Sequence, residues 1–422
     1  MNFKRYPNQL SALARSRSLL AALFAALTIA ACGGGGSDAP APNAAAPDAV
    51  ATPGAAATDT LSEGVITGFG SIIVNGVRFD DSTAQVSDED DEENPARSKD
   101  VLKLGMVVTV SATSGTGTGT ASAIAFGSVL QGPVQSTNVG TGTAGIQTLV
   151  ILGQTVIVGT RAVFDPLSLP GGFADIRKGD AIEVHGHLDV LANKIVATRI
   201  NRESNATVYK ITGNVSSLNT GSKSFKIGSE AISYGSIDPG KLRVSLANGV
   251  TVKVQLATVQ TTPGTWNATR IKPASRKAME NRSRVEIEGL IDAVTSATRF
   301  SVNGLPVDAT RASFPRGPGS LALGVRVEVK GSVVGGTLIA AHVKVKEDRD
   351  EDHEIELHGA ISSVNTVSKT FVLRGLTVSY AGNVRFEHGS ATQLVNGVKV
   401  EVKGRTGPGG TMVLAQKIEF ED

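Results

Sequence analysis

The chain has 422 residues, with 41 Lys and Arg against 39 Asp and Glu, 48 Gly and a single Cys. Nearly balanced charge argues against a uniformly basic nucleic-acid binder. One Cys excludes an internal disulfide, a four-cysteine zinc site and an iron–sulfur cluster within one chain. The length allows about two to four ordinary domains, or more if the units are small.

The N-terminal segment has the pattern of a signal peptide. Positive side chains precede a run of 13 mostly apolar residues, 19–31, which is shorter than the roughly 20 residues that a membrane-spanning helix needs. The run closes with Ile29, Ala30 and Ala31, and Cys32 follows directly. An apolar residue, two small residues and a cysteine resemble the bacterial lipobox, so residues 1–31 are predicted to be a lipoprotein signal peptide.

The lipobox resemblance implies a covalent lipid on Cys32. It implies that the signal peptidase recognises Ile29, Ala30 and Ala31, that the thiol of Cys32 is diacylated, and that the new amino terminus carries a further fatty acid such as palmitate. Several acyl chains hold a protein on a membrane firmly, whereas one chain binds only marginally. Because Gly33 stands where an Asp would favour inner-membrane retention, we expect an outer-membrane lipoprotein of the bacterial cell envelope, facing the periplasm or the cell surface.

Residues 32–61 are predicted to be the acylated Cys and a flexible tether. The 28 residues from Gly33 to Thr60 contain 10 Ala, 5 Gly and 4 Pro, and Val50 is their only larger aliphatic side chain. Such a segment buries too little apolar area to offset its chain entropy. Its prolines favour an extended chain that holds the folded part away from the membrane.

The remaining sequence repeats four landmarks in the same order. Each copy has an apolar-x-apolar-x-Gly strand, a hairpin-like segment, a strand of the Gly-Val-x-Val-x-Val form, and a closing Ala-x-x-Ile or Ala-x-x-Val. The first glycines of the five copies are Gly64, Gly132, Gly213, Gly289 and Gly359. A repeated order of this kind is strong evidence for tandem units. The units are predicted at 62–126, 127–203, 207–272, 284–347 and 354–422.

Period-two alternation predicts that these segments are strands. In the fourth unit, Val325, Val327 and Val329 share one face, and the charged residues between them share the other. About 65 to 80 residues per unit hold five or six strands and no long helical pattern, and closure into a barrel removes exposed strand edges. We therefore predict an all-β fold, a tandem array of about five small OB-like β-barrels.

These features together resemble a known family. A lipobox, a low-complexity tether and repeats with Val-Asn-Gly, Gly-Val-x-Val-x-Val-x-Gly and Ala-x-x-Ile are similar to bacterial lipoproteins built from the repeat called domain of unknown function 5666. The resemblance covers about residues 62–422 and is clearest in the last two units. As its name implies, the family transfers no activity and no functional residues.

The acidic run 88–93 is the most suggestive site for a cation. Carboxylate oxygens are the ligands that Ca²⁺ prefers, and a speculative cation loop would use Asp88, Asp90, Asp91 and Glu93. The run lacks the Gly and the Glu spacing of an EF-hand, and acidic runs are usually solvated loops. No other metal site is predicted.

Other chemical motifs give little. His185 and His187 share a strand face and form a possible metal pair, but His185 aligns with Lys330 and Lys403, which favours a surface position. Residues 235–241 match a phosphate loop except for Leu242 in place of Ser or Thr. Trp266 aligns with apolar residues and is predicted to lie in the core. We expect no cofactor, no nucleotide and no nucleic-acid partner.

Three functions follow. The leading hypothesis is a non-enzymatic, lipid-anchored envelope protein whose barrels act as a scaffold or protein-binding adaptor. The alternative is recognition of envelope polysaccharide, where repeated weak sites gain avidity. The third hypothesis, an enzyme, is the least favoured of the three, because the sequence shows no nucleophile paired with a base and no triad of metal ligands.

Overall fold

The computed structural model describes most of the chain beyond the N-terminal segment. The described residues are 58–114, 118–139, 146–274, 279–315, 317, 321–346 and 354–421. The predicted signal peptide, the lipobox with Cys32 and the tether as far as residue 57 lie outside them. All described residues belong to one compact unit, Ala55–Asp422. Its first strand begins at Thr58, four residues before the predicted start of the first repeat.

The described chain is all-β and forms five closed barrels in succession, which confirms the predicted fold class. The order of the principal strands around each barrel is first, second, third, fifth, fourth and back to the first. The third and fifth strands are parallel, as β21 (Leu305–Asp308) and β23 (Thr337–Val345) show, and the other neighbours are antiparallel. This is the connectivity of an OB-like barrel, so the predicted barrel type is confirmed as well.

The first two barrels differ in their extra strands. Barrel 1 contains β1 (Thr58–Phe69), β2 (Ile72–Val74), β3 (Val77–Asp80), β4 (Gln85–Asp88), β5 (Ala96–Arg97), β6 (Val107–Ser114) and β7 (Thr118–Phe126). Barrel 2 contains β8 (Leu130–Val139), β9 (Gln147–Ile151), β10 (Gln154–Val158), β11 (Val163–Phe164), β12 (Ala181–Asp189) and β13 (Lys194–Arg202). Short 3₁₀ helices lie in their loops at Lys99–Val101 and Gly172–Asp175.

The last three barrels repeat the pattern. Barrel 3 contains β14 (Val208–Asn219), β15 (Ser224–Ile227), β16 (Glu230–Ser233), β17 (Thr251–Ala257) and β18 (Thr265–Pro273). Barrel 4 contains β19 (Arg282–Ser296), β20 (Arg299–Val302), β21, β22 (Arg326–Val334) and β23. Barrel 5 contains β24 (Ile355–Ala360), β25 (Ser362–Asn365), β26 (Thr370–Leu373), β27 (Leu376–Ser379), β28 (Arg385–Glu387), β29 (Lys399–Thr406) and β30 (Met412–Phe420). Short 3₁₀ helices lie at Pro239–Lys241, Ala391–Gln393 and Pro408–Gly410.

The second and third strands of a barrel form a tight hairpin. In barrel 4 the turn is Asn303-Gly304, with φ of 50° and 76°, and positive φ at both central residues is the requirement of a two-residue hairpin turn. The Asn303 side chain then reaches back to the first strand and donates to the carbonyl of Glu288 at 3.1 Å. A Cβ on Gly289 would overlap this side chain, so the glycine of the first strand makes room for the hairpin.

The fourth strand bulges at the same place in all five barrels. Its register against the fifth strand shifts between Ser111 and Ala112, His185 and Gly186, Gln255 and Leu256, Lys330 and Gly331, and Lys403 and Gly404. A bulge bends a strand and increases its twist. The shift therefore supplies the curvature that lets a five-stranded sheet close on itself.

The barrels pack against partners that are distant in sequence. In β1, residues Thr60 to Glu63 pair in parallel with Arg284 to Ile287 of β19, and the end of β1 pairs with β24. Barrel 1 therefore contacts barrels 4 and 5 through strand pairing, while β8 pairs with β14 between barrels 2 and 3. Leu61 of barrel 1 packs into the hydrophobic core of barrel 4. The tandem array is thus folded into one body.

Among the described residues, no helix has the length and apolar character needed to cross a bilayer.

Candidate functional site

The charged faces of the barrel strands meet one another at the junctions between barrels. Period-two alternation places Glu286, Glu288 and Glu328 on the outer face of barrel 4, yet these side chains are buried, with 5–7 % exposure. Neighbouring barrels cover them. Since buried charges need partners to offset their desolvation, each junction has a specific set of ion pairs.

Asp90 forms the junction of barrels 1, 2 and 3, here named the Asp90 junction. Its carboxylate is 4 % exposed and lies 3.1 Å from Nζ of Lys210, 3.7 Å from Nζ of Lys272 and in an ion pair with Lys253. Lys210 also lies 3.4 Å from the Glu183 carboxylate of barrel 2. Burial raises the pKa of Asp90, but the three lysines outweigh burial and hold that pKa well below its usual range.

The other residues of the predicted cation loop have basic partners too. Asp88 and Asp91 lie 3.4 Å and 2.8 Å from Nη2 of Arg97, and Glu93 lies 3.0 Å from Nη2 of Arg270 in barrel 3. Within the described ranges, these carboxylates do not form a group of three whose oxygens are close enough to share one ion. The loop docks barrel 1 onto a basic face of barrel 3, and the cation site stays a prediction.

A second set of buried charges, the Glu286 junction, lies in barrel 4 where β19 pairs with β1 of barrel 1, and its four members, Glu286, Glu328, Lys330 and Lys346, all belong to barrel 4. Lys330 Nζ lies 2.6 Å from Glu286 and 3.1 Å from Glu328, while Lys346 Nζ lies 3.1 Å from Glu328. Burial raises the pKa of Glu286 to about 7, because Lys330 offsets only part of the desolvation and Glu328 adds repulsion. At this junction two carboxylates share one central lysine.

The two histidines of the predicted surface pair are buried, so the surface prediction is wrong. His185 and His187 are 1 % and 3 % exposed. Both histidines lie on the outer face of β12, which other barrels cover. Nε2 of His187 lies 3.6 Å from Glu288 of barrel 4. Burial raises the pKa of Glu288, but the nearby imidazole of His187 and the charge of Arg326 lower it to about 2. This pair joins barrels 2 and 4.

A group of Glu356, His358 and Glu401 at the junction of barrels 1 and 5 has the spacing of a metal site. His358 Nε2 lies 2.9 Å from Glu356 and 3.7 Å from Glu401. Arg78 of barrel 1 forms an ion pair with Glu356, and Lys403 Nζ lies 3.3 Å from Glu356 and 3.4 Å from Glu401. Because arginine and lysine already neutralise these carboxylates, the group acts as a further interbarrel contact.

A central cavity of about 640 Å³ opens between barrels 1, 2, 4 and 5. One wall is apolar and includes Leu104 of barrel 1 with Ile157, Val163 and Ala197 of barrel 2. The other wall is charged and comes mainly from barrels 4 and 5. Its charged residues are Arg326, Lys344, Lys346, Lys403, Glu288, Glu328, Glu354 and Glu356.

Trp266 lies in the core as predicted. It is 8 % exposed, belongs to the hydrophobic core that barrels 2 and 3 share, and packs edge-on against Tyr209. Its Nε1 donates to Glu230 Oε2 at 2.8 Å, which satisfies the indole N–H. The packing and the hydrogen bond of Trp266 therefore indicate a structural role for this ring.

Comparison with known proteins identifies the family. The family described as Domain of unknown function (DUF5666) matches residues 63–125, 131–201, 288–344 and 358–419, well over half of the chain. The chain belongs to this family, which confirms the resemblance seen in the sequence. Barrel 3 lies between the matched segments and has the same strand order, so the structure places a further copy of the fold there.

Two other comparisons add little. A search of curated proteins gave no match. Among solved structures, a chain titled "drosophila Unr CSD456" matches at 15 % identity and a TM-score of 0.13, covering 52 % of this chain and 98 % of that chain. A TM-score this low supports no conclusion about the fold or the function.

Sequence reasoning missed the junctions, although a signal for one of them was present. Lys210, Lys253, Arg270 and Lys272 all lie on strands of barrel 3, and a barrel with four basic residues on its outer face complements the acidic run of barrel 1. Alternation shows only that such residues point away from their own barrel. It does not show which other barrel covers them.

Proposed function

We propose that this protein is a lipid-anchored, non-enzymatic component of the bacterial cell envelope, in which five barrels form one rigid body that acts as a scaffold or adaptor for a protein partner. The observation that supports this proposal is the pairing of charged side chains across the barrels. Asp90 pairs with Lys210 and Lys253, His187 contacts Glu288, and Arg78 pairs with Glu356, and each of these contacts joins two different barrels. Ion pairs between barrels hold the five barrels in one arrangement, so the outer surface that a partner would contact keeps a fixed shape.

The anchor supports the envelope location. A signal-like segment, a lipobox and the sole Cys coincide at Cys32, and the covalent lipid is the only attached group that the proposal requires. If the full chain with Cys32→Ser remained membrane-bound and acyl-labelled, the lipoprotein assignment would be wrong. The expected result is loss of acyl label and of outer-membrane attachment.

The adaptor role is tested by crosslinking in intact envelopes. We expect crosslinks from this chain to one partner to map to one contiguous face, and to weaken when Asp90→Asn loosens the body. The matched control is Asp91→Asn, which changes a neighbouring carboxylate whose ion pair, with Arg97, lies within barrel 1. Crosslinks scattered over all five barrels and unchanged by Asp90→Asn would contradict a rigid adaptor, as would a catalytic turnover that one cavity residue abolishes.

The alternative, recognition of envelope polysaccharide, has less support. Sugar sites commonly use exposed aromatic rings, and among the described residues that line the central cavity none is aromatic. Binding of the purified chain to isolated envelope glycans would favour this alternative over the adaptor.

A further inference from the structure

Four of the five barrels cover the outer edge of their fifth strand with a segment of their own chain. The segment follows the third strand and pairs in parallel with the third residue of the closing Ala-x-x-Ile or Ala-x-x-Val motif. The residue of the segment that makes this pair is named the bridging residue. The pairs are Gln85 with Ala123, Val163 with Arg199, Ser313 with His342, and Arg385 with Lys417.

Barrel 4 shows the hydrogen bonds of this pairing. The N–H of Ser313 donates to the carbonyl of Ala341 at 2.8 Å, and the N–H of Val343 donates to the carbonyl of Ser313 at 3.0 Å. One bridging residue therefore satisfies both backbone groups that the fifth strand turns away from the fourth. The groups at the matching positions of barrel 3 are the carbonyl of Thr269 and the N–H of Ile271.

Barrel 3 lacks the bridge. Arg270 of β18 is the third residue of its motif, and within the described residues no segment pairs with it on the side away from β17. No described backbone group bonds to the carbonyl of Thr269 or the N–H of Ile271 on that side. This edge of β18, from Thr269 to Ile271, is named the open slot. An unpaired strand edge is a template for pairing with another chain.

The loop after β16 explains why barrel 3 does not close the slot itself. Counted along the chain from the third strand, as in the other four barrels, the bridging residue would be Asp238 or Pro239. Proline has no N–H to donate, and Pro239 begins the 3₁₀ helix Pro239–Lys241. The side chain of Asp238 caps that helix and accepts from the N–H of Gly240 at 2.9 Å. The segment therefore forms a helical turn in place of a bridging strand.

The open slot lies beside exposed residues, and its distinctive feature is its backbone. Thr269 and Pro273 of β18 are exposed. The neighbouring Arg270 already pairs with Glu92 and Glu93 of barrel 1, at 3.5 Å and 3.0 Å. Because this side chain is engaged, its charge does not select a ligand. The groups left without a partner are a carbonyl and an N–H at the spacing of a strand edge.

These two groups match a polypeptide. One residue of an extended chain offers an N–H and a C=O to them, and addition of a strand to a sheet edge is a common mode of peptide recognition. The four closed barrels show which kind of segment fits, because the residue after the bridging residue is apolar in each and packs against the core of its barrel. These apolar residues are Val86, Phe164, Phe314 and Phe386.

We propose that the open slot of barrel 3 binds an extended segment of a partner protein, which adds to β18 as a parallel strand. The bridging residue of that segment donates its N–H to the carbonyl of Thr269 and accepts from the N–H of Ile271, and an apolar residue follows it. This inference rests on the proposed adaptor function and names the surface at which the partner docks. Without the slot the adaptor function would stand, because a partner can contact another face.

The first test measures whether the slot is open. Hydrogen exchange of single backbone amides is followed by mass spectrometry in the full chain with Cys32→Ser. The N–H of Ile271 should exchange at least about tenfold faster than the N–H of Val343, which bonds to Ser313. Equal protection would overturn the proposal, since the slot would already be filled. Loss of that protection on deletion of residues 33–57 would identify the chain's own tether as the occupant.

The second test supplies a strand. Pro273→Cys in the same chain gives a single cysteine at the exposed end of β18. The peptide Thr-Ala-Gln-Val-Ser-Gly-Cys, whose first five residues copy 83–87 of barrel 1, is attached to it by a disulfide, which gives a local concentration of about 1 mM or more. The peptide should slow exchange at the N–H of Ile271 at least about tenfold.

The control for the second test is the same peptide N-methylated at its Gln. It lacks the N–H that the carbonyl of Thr269 accepts, so it should leave exchange at Ile271 unchanged. Equal slowing by the two peptides would mean that the attached chain covers β18 without pairing. No slowing by either would mean that the slot does not take a strand. Both outcomes would refute the inference.

The third test is made in intact envelopes. A photo-crosslinking residue replaces Thr269 in one variant and Gln416, the matching exposed position of the closed barrel 5, in the other. We expect a crosslinked partner from position 269 only, and a synthetic copy of the crosslinked segment should slow exchange at Ile271 in the purified chain. Equal crosslinking from both positions, self-crosslinking to a second copy of the chain, or a copy that leaves Ile271 unprotected would overturn the proposal.

The third test also separates the two levels of the argument. If crosslinkers on other faces captured a partner and position 269 did not, the adaptor function would stand and docking at the open slot would be wrong. If no face captured a partner, the adaptor function itself would fail.

Discussion

The Asp90 and Glu286 junctions use similar residues and have opposite electrostatics. At the Asp90 junction one carboxylate faces three lysines, and at the Glu286 junction two carboxylates share Lys330. Burial raises the pKa of both acids. The pKa of Asp90 ends well below its usual range, and that of Glu286 ends at about 7. The number of cations at a buried junction, more than its depth, therefore decides whether the acid is ionised.

The difference predicts opposite dependence of stability on pH. An acid whose folded pKa is lowered contributes stability above its unfolded pKa and loses it as pH falls, so Asp90 stabilises the fold above about pH 4. An acid whose folded pKa is raised holds its proton more tightly in the folded state. Glu286 therefore lowers the free energy of unfolding as pH rises from the ordinary pKa of a glutamate, 4.5, to about 7.

Asp90→Asn should have the largest effect. Removing the carboxylate leaves Lys210, Lys253 and Lys272 facing one another in a buried site, and breaking a buried ion pair typically costs about 3–5 kcal/mol. We expect a loss of this size in the free energy of unfolding, measured by urea denaturation at pH 7. Asp91→Asn serves as the control, since Asp91 is more exposed, and it should shift the midpoint little. Similar midpoints for the two variants would show that Asp90 does not hold the barrels together.

Glu286→Gln should mainly change how the free energy of unfolding varies with pH. Glutamine does not ionise, so the variant escapes the penalty that the native acid meets on deprotonation. Relative to the native chain, the variant should gain about 1–3 kcal/mol of unfolding free energy between pH 5 and pH 8. Urea denaturation at the two pH values measures this gain.

The matched control for Glu286→Gln is Glu288→Gln, two residues along the same strand. The pKa of Glu288 is about 2, so this acid is ionised in the folded state at both pH values, and in the unfolded chain it is already about three-quarters ionised at pH 5. Its substitution should destabilise the protein by nearly the same amount at pH 5 and at pH 8. If Glu286→Gln behaved in the same way, the raised pKa of Glu286 would be incorrect.

Lys330→Gln tests the sharing of one lysine by two acids. At pH 8 the substitution leaves Glu286 without its cation and in repulsion with Glu328. Because 42 % of the Lys330 side chain is exposed, solvent screens the charges, and we expect a loss of only about 1 kcal/mol. At pH 5, where Glu286 is protonated, the loss should be smaller. Urea titrations that gave a larger loss at pH 5 would contradict this account.

Sequence reasoning predicted the local structure of each barrel because the relevant signals are local. The alternation around Val327 and Val329 and the Asn303-Gly304 turn require only neighbouring residues, and they led directly to the strands and hairpin of barrel 4. The five copies reinforced one another. Even barrel 3, which the family profile does not match, follows the same order of strands.

The junctions could not be predicted in this way because they join residues that are far apart in the chain. Asp90 meets Lys253 across 163 positions, and His187 meets Glu288 across about 100. Alternation assigned Glu288 and His185 to outer faces correctly but could not show that other barrels cover those faces. His187 of barrel 2 contacts Glu288, and no local pattern in either strand indicates that contact.

Lys272→Gln should have the smallest effect and gives the sharpest contrast with Lys330→Gln. Lys272 Nζ lies 3.7 Å from Asp90, farther than Lys210, and Asp90 keeps both Lys210 and Lys253 when Lys272 is replaced. The pKa of Asp90 should therefore stay low, and the free energy of unfolding should fall by less than about 0.5 kcal/mol in urea at pH 7. Lys272 is the less exposed of the two lysines. Its loss should nevertheless lower the free energy of unfolding less than the loss of Lys330, because two other lysines still pair with Asp90. A loss that equalled or exceeded that of Lys330→Gln would mean that depth of burial, and not the number of cations, governs these junctions.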